Sequence, residues 1–75
     1  MVNQLLVKMY ATNIITYGNR NFGTIPENYV EPVKEYIAVN YTNYQIDTAL
    51  EKKYITEQEY TDIMTLKANI QNVVP

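Results

Sequence analysis

The spacing of apolar residues along the chain predicts a first helix near the start. Between Asn3 and Tyr17 apolar side chains recur at helical spacing, and Gly18 stands where a left-handed residue commonly ends a helix. The predicted apolar stripe consists of Leu6, Met9, Tyr10, Ile14 and Tyr17. The β-branched run at residues 14–16 favours a strand instead, so both helix and strand stay open for residues 3–17.

Proline and glycine positions delimit the second helix. Proline presets a helical φ and lacks an N–H, which suits a first helical turn. We therefore predict a short turn at residues 26–29 and a helix from Pro32 to Val39. The predicted apolar stripe of this helix is Val30, Val33, Tyr36, Ile37 and Tyr41. In the preceding loop, residues 18–23, Phe22 is expected to anchor the loop to the core.

Two capping boxes give the clearest local signal. Residues 42–45 read Thr-Asn-Tyr-Gln and residues 56–59 read Thr-Glu-Gln-Glu. In each box the threonine oxygen accepts from the third amide of the helix, and the Gln or Glu side chain reaches back to the threonine N–H. The structural caps are Thr42, Gln45, Thr56 and Glu59. They predict helices over Asn43–Lys53 and Glu57–Gln71.

These elements together predict an all-α fold with three to four short helices in one small domain, residues 1–75. The best-defined part is a C-terminal helical hairpin within residues 42–71, followed by a frayed tail at 72–75. Lys52 and Lys53 are expected in the last helical turn before the hairpin bend, where positive charge suits the helix dipole. The residues expected to face inward from the hairpin are Ile46, Ala49, Leu50, Tyr60, Ile63 and Met64, with the stem of Lys67 beside Ile70. A core this small is marginal, so oligomerisation or docking would add burial.

The composition excludes several kinds of site. The 75 residues include no His, Cys or Trp, and no Ser occurs in the sequence. Nucleophilic triads, Cys/His zinc sites, disulfides and thiol chemistry therefore have no residues to use. Glu27, Glu31 and Glu35 would share a face if the helix ran unbroken through Pro32, but a cation would need ligands from other segments. We predict no enzymatic activity, no catalytic residue, no cofactor and no metal.

Charge and hydropathy narrow the range of partners. Six basic residues against eight acidic residues give a net charge of −2, which does not favour nucleic acid or an anionic membrane. The last helix begins with acidic residues, which a DNA-reading helix would not carry. Gly18 and Gly23 are not followed by the Lys and Ser/Thr of a phosphate-binding loop.

The chain contains neither a membrane-spanning run nor a secretory signal, so we expect a cytosolic protein when it is made. Residues 1–25 hold Lys8 and Arg20 and no carboxylate, a net charge of +2, whereas residues 26–75 hold four Lys and eight acids, a net charge of −4. This uneven distribution suits either head-to-tail stacking of copies or a solvated surface.

Tyrosine supplies almost all of the aromatic bulk. There are eight tyrosines against one Phe, and an aromatic ring with a polar tip suits half-buried and interface positions. We expect Tyr10, Tyr36 and Tyr60 to be mainly buried. The candidate partner-binding residues are Tyr17, Arg20, Tyr44 and Tyr54. The alternative is that all eight tyrosines complete the small core.

The hairpin sequence resembles a known group of proteins. Residues 41–46 begin Tyr-Thr, and residues 55–63 read Ile-Thr-Glu-Gln-Glu-Tyr-Thr-Asp-Ile. This pattern resembles the XkdX-like small proteins encoded in tail modules of phages and prophages of Gram-positive bacteria. The upstream half is similar to another class of short phage proteins, in the residues Gly18, Arg20, Phe22, Ile25, Pro26, Tyr29 and Val33. The chain departs from the pattern at the hairpin turn, where Lys53-Tyr54 replaces the usual Gly, and this leaves the turn geometry open.

The resemblance implies a structural or accessory role in a phage tail. The expected partner is a larger tail, baseplate or fibre protein, and a homo-oligomer is a further expectation. The implied location is the host cytoplasm when the protein is made, and then the virion tail. No activity, cofactor or functional residue is implied. The alternative is a small phage-encoded regulator or inhibitor that binds a host protein, with the acidic side at Glu27, Glu31 and Glu35 as a charge mimic.

Overall fold

The computed structural model describes residues 2–72, and helices account for most of them. The four α-helices are α1 (Gln4–Ala11), α2 (Glu27–Asn40), α3 (Asn43–Glu51) and α4 (Glu57–Asn72). A π-helical segment, Thr12–Tyr17, continues α1 without a break. No strand occurs within residues 2–72, so the all-α prediction is confirmed. Asn72 belongs to α4 and not to the expected tail, whose other residues, 73–75, lie outside the described range.

The first segment is helical, which resolves the choice between helix and strand. Asn3 caps α1 with its Oδ1 atom, which accepts from the N–H of Leu5 at 2.9 Å and of Leu6 at 3.4 Å. Gly18 ends the segment with a left-handed φ of 67°. The predicted stripe is wrong at two places, because Met9 and Tyr17 are exposed.

Packing and the π-helical turn explain this displaced stripe. The buried residues of the segment are Val7, Ala11, Ile14 and Ile15. Val7 and Ala11, one turn apart, occupy the buried side of α1, and this orientation leaves Met9 outside. The wider turn of the π-helix then shifts the register, so that the adjacent pair Ile14 and Ile15 are both buried.

Helix α2 begins earlier than the proline pattern predicts. It starts at Glu27, with Pro26 in the N-cap position, and it runs through Pro32 to Asn40. The prediction of a helix from Pro32 is therefore wrong. A proline at the sixth helical position removes the hydrogen bond to the carbonyl of Asn28 and crowds that carbonyl, and the packing of α2 against both α1 and α4 offsets this cost. Phe22, Val33 and Ile37 are buried, as predicted.

Helix α3 ends two residues before the predicted boundary. Lys52 is its C-cap and Lys53 has a left-handed φ of 65°, so neither lysine lies in the last helical turn. The Lys53 N–H donates to the Leu50 carbonyl at 3.0 Å and the Tyr54 N–H donates to the Ala49 carbonyl at 2.8 Å. These two bonds constitute a Schellman motif. Lys53 thus adopts the conformation for which glycine is the usual residue.

Helix α2 lies at the centre of the domain, with α1 and α4 packed against it. Helix α4 packs more extensively on α2 than on its sequence neighbour α3, while α3 also packs on the π-helical segment. Two lysines join α2 to α4. Lys34 is buried and donates to Asp62 Oδ2 at 2.8 Å. Lys67 donates to the carbonyls of Ala38 and Tyr41 at 3.1 and 2.7 Å, which satisfies the C-terminal end of α2.

The inward face predicted for the last two helices is correct except at its end. Ile46, Ala49 and Ile63 are buried, and the half-buried members of the set are Leu50, Tyr60 and Met64. Ile70 is 40 % exposed, so its assignment to the inward face is wrong. Lys67 already reaches the last carbonyls of α2, and the turn of α4 that carries Ile70 therefore lies past the end of the helix on which α4 packs.

Candidate functional site

A shallow groove between the π-helical segment and α3 brings together two of the predicted partner-binding residues. Its volume is about 160 Å³. The residues that line this tyrosine groove are Ile15, Thr16, Tyr44, Gln45, Thr48, Lys52 and Tyr54. Tyr44 and Tyr54 are two of the four residues predicted to bind a partner. Aromatic rings with polar tips are typical of a protein-contact surface.

The first capping box holds Tyr44 over the groove. The Gln45 N–H donates to Thr42 Oγ1 at 3.2 Å, and the Thr42 N–H donates to Gln45 Oε1 at 2.9 Å. Tyr44 therefore lies in the first turn of α3, and it is 78 % exposed. One turn later the Thr48 hydroxyl donates to the Tyr44 carbonyl at 2.7 Å, so that hydroxyl proton is already engaged.

Tyr54 has an internal role as well as a place in the groove. Its ring lies against Gly18, so closely that a Cβ atom at Gly18 would overlap it. The Lys52 ammonium stands 5.8 Å from the ring centroid, within the range of a cation–π contact. Tyr54 is consequently half-buried, and a partner can reach only part of it.

The other two predicted partner-binding residues do not line this groove. Tyr17 is 65 % exposed at the end of the π-helical segment. The Arg20 guanidinium lies 5.5 Å from the ring centroid of Tyr10, which in turn meets Tyr29 edge to face at 5.4 Å. The Tyr29 hydroxyl accepts from the Asn3 N–H at 3.0 Å, so this second aromatic cluster ties the start of α1 to α2.

The burial of the tyrosines differs from the prediction. Tyr10, Tyr36 and Tyr60, which the sequence predicts to be mainly buried, are all half-buried. The buried tyrosine is Tyr29, at 8 % exposure, which the sequence pattern places in a turn and does not single out. Tyr29 lies one turn before Val33, so its position follows once α2 is known to continue through Pro32.

Tyr60 connects the two helices of the predicted hairpin. Its hydroxyl donates to Asp47 Oδ1 at 2.6 Å, across from α4 to α3. The hydrogen bond to this carboxylate, with smaller contributions from desolvation and from its negative charge, raises the pKa of Tyr60. On α4 the second capping box forms, because the Glu59 N–H donates to Thr56 Oγ1 at 3.1 Å and the Thr56 N–H donates to Glu59 Oε1 at 2.8 Å.

A second surface, on α1, has no counterpart in the sequence prediction. A depression of about 380 Å³ is lined by Leu5, Lys8, Met9, Thr12 and Asn13. Leu5 is 73 % exposed and Met9 is 44 % exposed. The sequence pattern assigns Met9 to the core stripe, and the signal that could have corrected this is Val7 with Ala11, the other apolar pair spaced by one turn.

The two surfaces differ in size. At about 160 Å³ the tyrosine groove is smaller than the roughly 300–1,000 Å³ of typical small-molecule pockets, whereas the depression on α1, at about 380 Å³, falls within that range. In the described part of the chain, no group of three or more acidic side chains is arranged to hold a metal ion. Glu27, Glu31 and Glu35 do share one exposed face, because α2 runs unbroken through Pro32. Among residues 2–72, no helix combines the length and apolar character that crossing a bilayer requires.

Comparison of the chain with protein-family models, with curated proteins and with solved structures finds no match.

Proposed function

We propose that the chain is a non-enzymatic interaction module that binds a larger phage tail, baseplate or fibre protein through the tyrosine groove. The observation that carries this proposal is the exposure of Tyr44, 78 %, directly over a groove that Tyr54 also lines. The protein is made in the host cytoplasm and acts in tail assembly or in the tail of the virion. The proposal also includes contacts between copies of the chain, which would form a homo-oligomer.

The groove has the physical properties of a contact site for a protein. Tyrosine offers a large contact area with few rotatable bonds, and it is enriched among the residues that dominate binding energy at interfaces. The Thr42 capping box fixes the backbone that carries Tyr44, and the Gly18 contact fixes Tyr54. A groove held in place before binding loses little conformational entropy when a partner docks.

The tail assignment is supported by the resemblance of residues 41–63 to XkdX-like proteins. The chain departs from that pattern at Lys53, where the pattern has glycine. Lys53 nevertheless has a φ of 65°, and the Schellman hydrogen bonds around it are made. The substitution therefore leaves a backbone geometry that glycine would also adopt, and it does not weaken the resemblance.

The test is capture of a partner by the tagged full-length chain from a lysate in which the phage tail genes are expressed. We expect a tail protein to be captured, and we expect Tyr44→Ser to reduce capture at least tenfold, as for a central interface residue. Ile70→Ser is the matched control, because Ile70 is 40 % exposed on α4, a helix that does not line the groove, and this variant should bind like the unmodified chain. Circular dichroism of each variant checks that its helices remain.

Two results would count against the proposal. Equal capture by Tyr44→Ser and by the unmodified chain would remove the groove as the binding surface. Mass spectrometry of purified tails that detects none of this chain would exclude a place in the virion and leave only assembly.

A second candidate function is a regulator that binds a host protein. The observation that favours it is the unbroken α2, which presents Glu27, Glu31 and Glu35 together on one exposed face. Replacement of all three by Gln would abolish capture of a host protein under this function, while Tyr44→Ser would leave that capture unchanged. Capture of tail proteins alone would contradict it.

A further inference from the structure

The exposed side of α1 and the neighbouring edge of α2 combine apolar side chains with charges of opposite sign. Leu5 and Met9 are one turn apart on α1, and Val39 on α2 is 62 % exposed. Leu5 and Met9 line one depression, and Gln4, the neighbour of Leu5 in the first turn of α1, lines a second depression with Pro32, Glu35, Tyr36 and Val39. Both depressions are thus lined from the first turn of α1, and Leu5 and Met9 form a pair on one of them and are not scattered single residues, which would need no explanation.

The charges beside these apolar residues are self-complementary. Lys8 lines the depression on α1 together with Leu5 and Met9, whereas Glu35 lines the depression on the α2 side. Neither side chain takes part in an ion pair among the described residues. A surface that carries an unpaired cation at one side and an unpaired anion at the other is complementary to a copy of itself rotated by half a turn.

We propose that this surface, the α1 face, is a contact between two copies of the chain. In the two-fold dimer Leu5, Met9 and Val39 of the copies pack together, and each Lys8 pairs with Glu35 of the other copy. This contact assigns a surface to the homo-oligomer that the proposed function includes. Residues of the tyrosine groove do not take part, so its outcome is independent of binding to a tail protein.

The size of the face sets the strength of the contact. A stable interface buries about 800 Å² per partner. That is roughly one sixth of the 5029 Å² surface of the described chain. Three apolar side chains with a short polar rim cover less than this, so the dimer is weak and depends on concentration. We expect a dissociation constant on the order of 0.1 mM.

The experiment is sedimentation velocity of the purified chain from about 10 μM to about 1 mM, a range that brackets the expected dissociation constant. The unmodified chain should shift from monomer to dimer over this range. Leu5→Ser should weaken association at least tenfold. Ile70→Ser is the matched control, because Ile70 is 40 % exposed on α4, and it should associate like the unmodified chain.

Charge exchange tests the pairing itself. Lys8→Glu alone and Glu35→Lys alone should each weaken association, because each places like charges opposite one another. A mixture of the two variants should restore it, since position 8 of each copy then lies opposite a position 35 of opposite charge in the other copy. Both positions are exposed, so folding is not at risk, and circular dichroism verifies it.

Four results would overturn the proposal. One is a chain that stays monomeric at every concentration, and another is a dimer that Leu5→Ser does not weaken. The third is a mixture of charge variants that associates no better than either alone. The fourth is the formation of species larger than a dimer, which would replace the two-fold contact by head-to-tail stacking. Tyr44→Ser should dimerise normally, which separates this contact from the tyrosine groove.

Discussion

Two helix ends in this molecule have nearly the same left-handed φ but different residues. Gly18 ends the π-helical segment with a φ of 67°, and Lys53 follows α3 with a φ of 65°. At Gly18 the ring of Tyr54 occupies the place of a side chain. At Lys53 the side chain is exposed, so it meets no such obstacle. Glycine is thus required at position 18, where a left-handed φ coincides with the Tyr54 ring in the place of a side chain. Lysine is tolerated at position 53, where only the left-handed φ must be accommodated.

The difference extends to the two halves of the chain. In the C-terminal half, both helices begin at a capping box whose hydrogen bonds join residues only three apart. In the N-terminal half, α1 also begins at a local cap, Asn3, but the ends of the helical segments have distant partners: Tyr54 lies against Gly18, and the Lys67 ammonium lies at the end of α2. The starts of α3 and α4 are therefore encoded locally, whereas the ends of the N-terminal segments are completed by the tertiary fold.

The largest expected effect comes from substitution of Gly18, at the end of the π-helical segment. Gly18→Ala should lower the free energy of unfolding by about 2–4 kcal/mol, because a left-handed alanine costs about 1–2 kcal/mol and the overlap with Tyr54 adds to it. Urea denaturation followed by circular dichroism at low temperature measures the loss. In a Tyr54→Ala background the overlap is absent, so the cost of Gly18→Ala should fall to about 1–2 kcal/mol.

Gly23→Ala is the control for this prediction. Gly23 has no positive φ, and a Cβ atom there would meet only the Asn21 side chain at 3.1 Å. Its cost should stay below about 1 kcal/mol. Equal losses for the two glycine variants would show that neither the left-handed conformation nor the Tyr54 ring distinguishes Gly18.

Sequence patterns predicted the elements of this fold better than their boundaries and faces. The starts of α3 and α4 could be predicted because their caps are local side-chain hydrogen bonds. The start of α2 could not, because Pro32 is tolerated inside a helix that packs on both α1 and α4. The face of α1 could not either, since Leu6 and Met9 fit helical periodicity as well as Val7 and Ala11 do.

The candidate site was predictable only in part. Tyr44 is among the four predicted partner-binding residues, and its capping box fixes where its helix begins, but the groove beneath it requires the π-helical segment. Residues 12–17 carry no sequence signal that distinguishes a π-helix from an α-helix, and the segment is recognised from its backbone alone. Arg20 lies over the ring of Tyr10 and not in the groove. The position of the loop that carries Arg20 relative to α1 is set by the tertiary fold and could not be predicted from the sequence.

The next largest effect is expected from substitution of Lys53, at the end of α3. Lys53→Gly should raise the free energy of unfolding by about 0.5–1 kcal/mol, since it removes the left-handed penalty of a side chain and keeps both Schellman hydrogen bonds. Lys52→Gly, one residue earlier at a right-handed φ of −81°, should lower it by about 0.5–1 kcal/mol. Urea midpoints of the two variants measured together give the signs. Two changes of the same sign would mean that loss of lysine charge, and not the backbone, determines the result.

The smallest effect concerns the ion pair that joins the two halves. Hydrogen bonds from the Lys34 ammonium and then from the Gln58 amide lower the pKa of Asp62 from its ordinary value of 3.8. The folded state therefore holds this proton less tightly than the unfolded state, so the stabilisation is present above the ordinary value and is lost as pH falls through the lowered one. Asp62→Asn should make the chain less stable at neutral pH and should flatten its loss of stability in acid. Urea midpoints at a series of pH values measure both changes.

Lys34→Met distinguishes the ion pair from other acid effects, because methionine keeps an apolar stem in the buried position while removing the ammonium. In that background Asp62→Asn should change the acid dependence much less, since only the Gln58 hydrogen bond still lowers the pKa of Asp62. Equal flattening in both backgrounds would show that Lys34 does not stabilise the Asp62 carboxylate. The link between α2 and α4 would then depend on Lys67 at the end of α2 and on the apolar contacts between the helices.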